Sequence, residues 1–135
     1  MTRYLLDTNI MSNVTKAEPS KLLIEWLAEQ ADEGLFISSL TLAEIGRSML
    51  EKPAGKKRRL REDWFLGSDG PMALFRGRIL SFDEKAALIW ARMMSEGTGS
   101  GRPRSALDTI VAAIAEANDC VVVTDNEKDF PGSRS

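Results

Sequence analysis

Short apolar runs alternate along the chain with longer stretches whose apolar residues recur every three or four positions. Tyr4-Leu5-Leu6, Leu35-Phe36-Ile37, Ile79-Leu80-Ser81-Phe82 and Cys120-Val121-Val122-Val123 have the length of strands, and the last is β-branched. Between them, Leu22, Leu23, Trp26, Leu27 and Ala31 make one stripe over residues 20–31, and Leu42, Ile45, Met49 and Leu50 make another. That is the period of amphipathic helices. Pro19 suits the first turn of the first helix and Gly34 its end. Pro53 and Gly55 interrupt the second. Asp83 is placed to cap a helix carrying Ala87, Leu88, Trp90, Ala91 and Met94. Residues 97–103 are glycine-rich and predict a flexible loop. Residues 105–117 form the most apolar helical pattern, and 124–130 read as a polar turn or short helix. Strands that alternate with helices predict an α/β fold with a mainly parallel sheet and helices on both faces. No internal repeat or domain boundary interrupts the pattern, so residues 1–135 are expected to form a single domain.

Acids fall at the ends of these elements. Asp7 closes the first strand and is followed by Thr8 and Asn9. Glu44 lies early in the helix after the second strand. Asp108 lies in the first turn of the 105–117 helix, and Asp125 and Asp129 follow the last strand. In an open parallel sheet such positions share one edge, where ligands bind. Each acid also has a structural explanation. Thr41-Leu42-Ala43-Glu44 is a helix-capping box, Ser105-Ala106-Leu107-Asp108 is a weaker one, Asp7 suits the cap of a helix starting at Thr8, and Asp125 and Asp129 suit a turn. Their joint placement at one predicted edge points instead to convergent carboxylates.

Composition narrows the chemistry. The chain has 135 residues, the size of one domain, and 43% hydrophobic residues, enough for an ordinary core. No apolar run approaches the ~18 residues of a membrane span, and the N-terminus lacks a secretory apolar segment. Cys120 is the single cysteine, so neither an internal disulfide nor a cysteine-based zinc site is available. A cytoplasmic location without membrane contact is expected. Histidine is absent. That removes the commonest general base and the commonest transition-metal ligand, leaving carboxylates and a hard, oxygen-preferring cation such as Mg²⁺ or Mn²⁺. Carboxylates crowded around such an ion predict raised pKa values in the metal-free protein. The net charge of −2 provides no global basic field, so any nucleic acid must meet a local patch. Residues 52–61 hold six basic side chains out of ten, a pattern read first as a solvated helix face. Arg102 and Arg104, just before Asp108, are better placed to contact substrate phosphates.

The segments LLDTNI, SSLTLAEIG, GRILSFDE, GRPRSALDTIVAAIAEA and VVVTDNEKDF, in that order over residues 4–130, resemble the PIN-domain ribonucleases, in particular the VapC and FitB-like toxins of type II toxin–antitoxin systems. The resemblance implies a three-layer α/β/α sandwich and an acidic pocket that holds Mg²⁺ or Mn²⁺ and hydrolyses RNA phosphodiester bonds. It implies Asp7 and Asp108 as metal ligands, Glu44 as the third acid and Asp129 as the fourth, with Asn126 as its helper and Asp125 as the rival position. Thr8, Asn9 and Thr124 are candidates to hydrogen-bond the acids. The resemblance also implies a cognate antitoxin in a groove beside the first helices, a homodimer through the helix of residues 83–94, and promoter DNA bound through the antitoxin. Relatives often continue past the Asp-Phe pair into another strand, whereas this chain reads Pro131-Gly132-Ser133-Arg134-Ser135. Two other classes compete. A haloacid-dehalogenase-type phosphatase also begins with an acid after its first strand, but asks for a second acid two residues on, where Asn9 stands. A non-catalytic PIN-like module would bind RNA or a protein without cutting.

Overall fold

The computed structural model describes residues 1–14, 18–102 and 104–124. Strand β1 (Arg3–Leu6) runs directly into helix α1 (Thr8–Val14), because the Asp7 carbonyl accepts the amides of Ile10 and Met11 at 3.0 and 3.4 Å. Helix α2 (Lys21–Ala28) starts at Ser20, whose hydroxyl accepts the Leu23 amide at 3.3 Å. Pro19 therefore lies before the cap and not inside the first turn. The helix also stops earlier than its apolar stripe, where the Gln30 side chain donates to the Trp26 carbonyl at 3.1 Å. Gly34 ends a separate 3₁₀ turn (Asp32–Gly34) that feeds strand β2 (Leu35–Ser38). Helix α3 (Ser39–Leu50), the basic helix α4 (Lys56–Leu66) and the short helix α5 (Pro71–Leu74) lead to strand β3 (Ile79–Leu80). Helices α6 (Glu84–Gly99) and α7 (Ala106–Ala117) precede strand β4 (Cys120–Val123).

The strands form one parallel sheet in the order β3-β2-β1-β4. Tyr4 and Leu5 stand beside Leu35 and Phe36, and Arg3 to Leu6 run beside Cys120 to Val123. Alternation along the pleat sends successive residues to opposite faces. Leu6 and Ile37 join Ile10, Met11, Leu23, Trp26 and Ile45 on one face. Leu5 and Phe36 join Ala86, Val111, Ile114 and Ala115 on the other. Two separate apolar clusters, one on each side of a parallel sheet, make the expected three-layer α/β/α sandwich. Each fully buried Leu or Ile contributes about 1.5–3 kcal/mol, so the central strands β1 and β2 anchor the fold. Among the described residues β4 is an edge strand, and Val121 is 48% exposed.

The expected loop after α6 starts later than its glycines. The glycines at 97 and 99 do not open a loop, because α6 continues through both. Gly97 is buried, and a β-carbon there would stand 2.9 Å from the Arg102 carbonyl and 3.0 Å from the Arg104 stem. The glycine allows the connection to α7 to fold back against the helix. Arg102 donates its amide to the Gly97 carbonyl at 2.8 Å. The helix pair is tied further by the Arg92–Glu116 ion pair and by the Trp90 indole, which donates to the Ala106 carbonyl at 3.1 Å.

Candidate active site

The chain passes from β1 to β2 on one side of β1 and later returns to pair β4 on the other. β1 is therefore bordered by the switch point, the place where open parallel sheets form a crevice beyond their strand ends. Asp7 stands at the end of β1 and donates its amide to the Val123 carbonyl at 3.0 Å, bridging to the end of β4. One carboxylate oxygen, Oδ1, accepts the Thr8 amide at 2.8 Å. Asp7 both begins α1, as a cap would, and holds a half-buried carboxylate at the switch point. Burial pushes its pKa above the ordinary aspartate range. The Thr8 amide opposes that shift, and the charges of Glu44 and Asp108 add to it. The direction is the one expected for crowded carboxylates, although desolvation outweighs the neighbours. The charges at positions 44 and 108 thus both act on Asp7, as smaller contributions beside its burial.

Glu44 is not the acid of a capping box. The α3 cap is Ser38, whose hydroxyl accepts the Thr41 amide at 3.1 Å, so Thr41 lies inside the helix and is fully buried. Glu44 faces α1 instead, where the Thr8 hydroxyl donates to its Oε1 at 2.6 Å. Thr8 Oγ1 also lies 3.2 Å from Thr41 Oγ1, and Ser38 Oγ lies 3.3 Å from Thr41 Oγ1. Each hydroxyl carries one proton. With the Thr8 proton committed to the carboxylate, Thr41 donates to Thr8 and Ser38 donates to Thr41. Three hydroxyls thus point in sequence toward Glu44, and such chains polarise one another. Ser38 and Thr41 were not singled out from sequence, because the T-x-x-E spacing has a simpler explanation there. The available signal was that Thr41 and Glu44 are three apart and share a helix face.

Asp108 is exposed in the first turn of α7, where its amide donates to the capping Ser105 hydroxyl at 3.4 Å. Asn9 is exposed on α1. Thr124 follows β4, and its Oγ1 is buried with no hydrogen-bond partner among the described residues. A buried hydroxyl left in this state beside the switch point has capacity for a ligand or a water. Asp125, Asn126 and Asp129 lie outside the described residues. Arg102 and Arg104 are exposed, and the Arg104 stem lies close to Gly97 of α6.

A pocket of about 70 Å³ opens beside Glu44. Its walls include Thr8, Ser48, Arg61 and Trp64 but neither Asp7 nor Asp108, so the basic helix α4 supplies a cation beside Glu44, while Arg102 and Arg104 do not line this pocket. α4 reaches this position by packing on α3, with the Phe65 ring against Gly46.

The donor set of Asp7, Glu44 and Asp108 is all carboxylate oxygen, the chemistry that Mg²⁺ and Mn²⁺ prefer. The side-chain arrangement is looser than the chemistry: among the described residues, no three acids are grouped closely enough to hold an ion.

The comparisons with known proteins agree with the fold and the order of the motifs. The PIN domain family profile matches residues 4–131. The VapC ribonuclease Y4jK of Sinorhizobium fredii is 33% identical over 93% of this chain and 89% of its own length. Toxin FitB of Neisseria gonorrhoeae is 32% identical with the same coverage of each. The crystal structure of FitAcB from Neisseria gonorrhoeae superposes with a TM-score of 0.84 at 31% identity, covering 96% of this chain and 92% of that one. A FitAB structure bound to an IR36 DNA fragment matches at the same TM-score and identity, covering 96% of this chain and 90% of that one. The chain belongs to the PIN-domain family and is a VapC/FitB-like member of it.

Proposed function

We propose that the protein is the toxin of a type II toxin–antitoxin pair, an Mg²⁺- or Mn²⁺-dependent endoribonuclease acting at Asp7, Glu44 and Asp108. The observation that carries this reading is that Thr8 hydrogen-bonds both Asp7, at the switch point of a parallel sheet, and Glu44, which comes from a different element. A bound ion would supply a water of lowered pKa and a Lewis acid for the phosphoryl oxygen. Asp7, Glu44 and Asp108 would hold it, with Asp129 as the fourth acid.

The chain's own groups prepare that site. The Thr8 amide tethers one oxygen of Asp7, and the Thr8 hydroxyl tethers one oxygen of Glu44. One residue thereby orients two carboxylates from different elements. Burial raises the pKa of Asp7, so protons compete with a cation up to a higher pH than at an ordinary aspartate, and metal affinity should rise with pH. By analogy with the FitAB and VapBC complexes, the protein would pair with an antitoxin and bind promoter DNA through it; the resemblance to the family adds a dimer. Leu88 on α6 and Leu107 on α7, 69% and 51% exposed, are apolar positions available to such partners.

A second reading is a PIN-like module that binds RNA or protein without cutting. The loose arrangement of the acids favours it. The two are separated by incubating antitoxin-free protein with a mixed, structured RNA pool in Mg²⁺ or Mn²⁺, in chelator, and as the Asp7→Asn variant. Metal-dependent cleavage lost in the variant is expected. Calorimetry should also show Mn²⁺ binding that disappears in Asp108→Asn. Full Mn²⁺ affinity in that variant, or RNA cleavage in chelator, would overturn the nuclease reading.

A further inference from the structure

The basic run of residues 52–61 divides sharply in the folded chain. Arg58 is committed to Glu62 at 2.8 Å and to the Lys52 carbonyl at 3.4 Å. Lys56, Lys57 and Arg59 are exposed. Arg61 is half-buried, makes no ion pair among the described residues, and has its guanidinium carbon 5.6 Å from the Trp64 ring centroid. It is also the one basic residue of this run among the lining residues of the pocket, which it shares with Thr8, Ser12, Glu44, Ser48 and Trp64. A guanidinium has a planar fork of donors suited to phosphate, and stacking on an aromatic face reduces the freedom it loses on binding.

We propose that Arg61 binds an RNA phosphate next to the one being hydrolysed, with the Trp64 ring positioning the guanidinium. The proposal rests on the nuclease reading and adds a substrate contact to it. Three observations support it together. The cation lines the same small pocket as an acid of the site, yet it is not neutralised by that acid. The pocket wall also carries the Ser48 hydroxyl, which can donate to a phosphate oxygen. With a net charge of −2, the chain must meet a polyanion through a local cation, and Arg61 is the one beside Glu44.

The test measures binding of a labelled, random-sequence single-stranded RNA to Asp7→Asn protein, which does not consume the probe. Arg61→Gln in that background should weaken binding roughly tenfold at about 0.1 M salt. The slope of log affinity against log salt should fall by about 0.7, the loss of one phosphate contact. Arg61→Lys should keep the slope and recover part of the affinity, since it keeps the charge but loses the fork. Arg59→Gln, on the exposed side of the same helix, should change binding less than twofold. Unchanged binding in Arg61→Gln, or an equal loss in Arg59→Gln, would overturn the assignment. A failure of the nuclease reading itself would appear separately, as an absence of metal-dependent RNA cleavage by the protein with Asp7 intact, whatever Arg61→Gln does to binding.

Discussion

Replacing Thr8 by valine removes a hydroxyl while keeping the shape of the side chain, and it strikes the residue that orients two acids. The Thr8 hydroxyl gives Glu44 a 2.6 Å bond, and hydrogen bonds to charged groups contribute about 1.5–3 kcal/mol. Thr8 and Glu44 are both half-buried, so water replaces part of that interaction. A net loss of about 1–2 kcal/mol remains, which is about 5–30-fold in rate if the lost contact aligns Glu44 in the transition state. The Thr8 amide still holds Asp7 in the variant, so the effect isolates Glu44. The assay is RNA cleavage at saturating Mn²⁺, with melting temperature measured in parallel. Thr8→Ser should retain most of the rate, since it keeps the donor. Thr41→Val should cost less, because the Thr41 hydroxyl stands one step further from the acid. The double variant should lose less than the sum of the two, since both act on one chain of hydroxyls. Wild-type cleavage by Thr8→Val, or equal losses in the valine and serine variants, would refute the reasoning.

Asp7→Asn should stabilise the metal-free protein at neutral pH. The folded pKa of Asp7 is raised above its unfolded value, so its stability contribution is full below the unfolded pKa and is lost as pH rises through the folded one. In chelator, the wild type should therefore melt progressively below Asp7→Asn as pH rises above the ordinary aspartate pKa, and Mn²⁺ should reverse the order; a difference that does not change with pH would contradict it. Gly97→Ala should destabilise by about 1–2 kcal/mol, because the 2.9 Å approach to the Arg102 carbonyl outweighs the gain of about 1 kcal/mol in helix propensity. Denaturant unfolding at constant slope measures it, and a stabilised variant would show that the α6–α7 connection yields freely.

Residues 1–124 carried their layer order in a local signal. Period-2 and period-3.6 apolar patterns depend only on which residues face a core, so Leu5 against Leu6 and Phe36 against Ile37 already imply a sheet buried on both faces. The acids were read from topology in the same way. The ends of parallel strands share an edge, so Asp7, Glu44 and Asp108 were expected to converge; the charges of Glu44 and Asp108 do act on Asp7, but among the described residues no three acids are grouped closely enough to hold an ion. The absence of histidine determined that the candidate site would be built from oxygen ligands. Tertiary structure alone decided which partner each polar group meets. Glu44 had a local explanation in Thr41, but Ser38 takes that amide and Glu44 turns to Thr8, 36 residues away. Arg61 was one of six basic residues in a run that reads as solvated, and only the packing of α4 on α3 turns it toward the pocket. Gly97 looked like a loop residue because glycine usually marks one, yet here it answers a close approach by residues five and seven positions later. Periodic burial is a property of a segment and is written in that segment. Side-chain pairing depends on segments that meet only after folding, and it is therefore absent from any one of them.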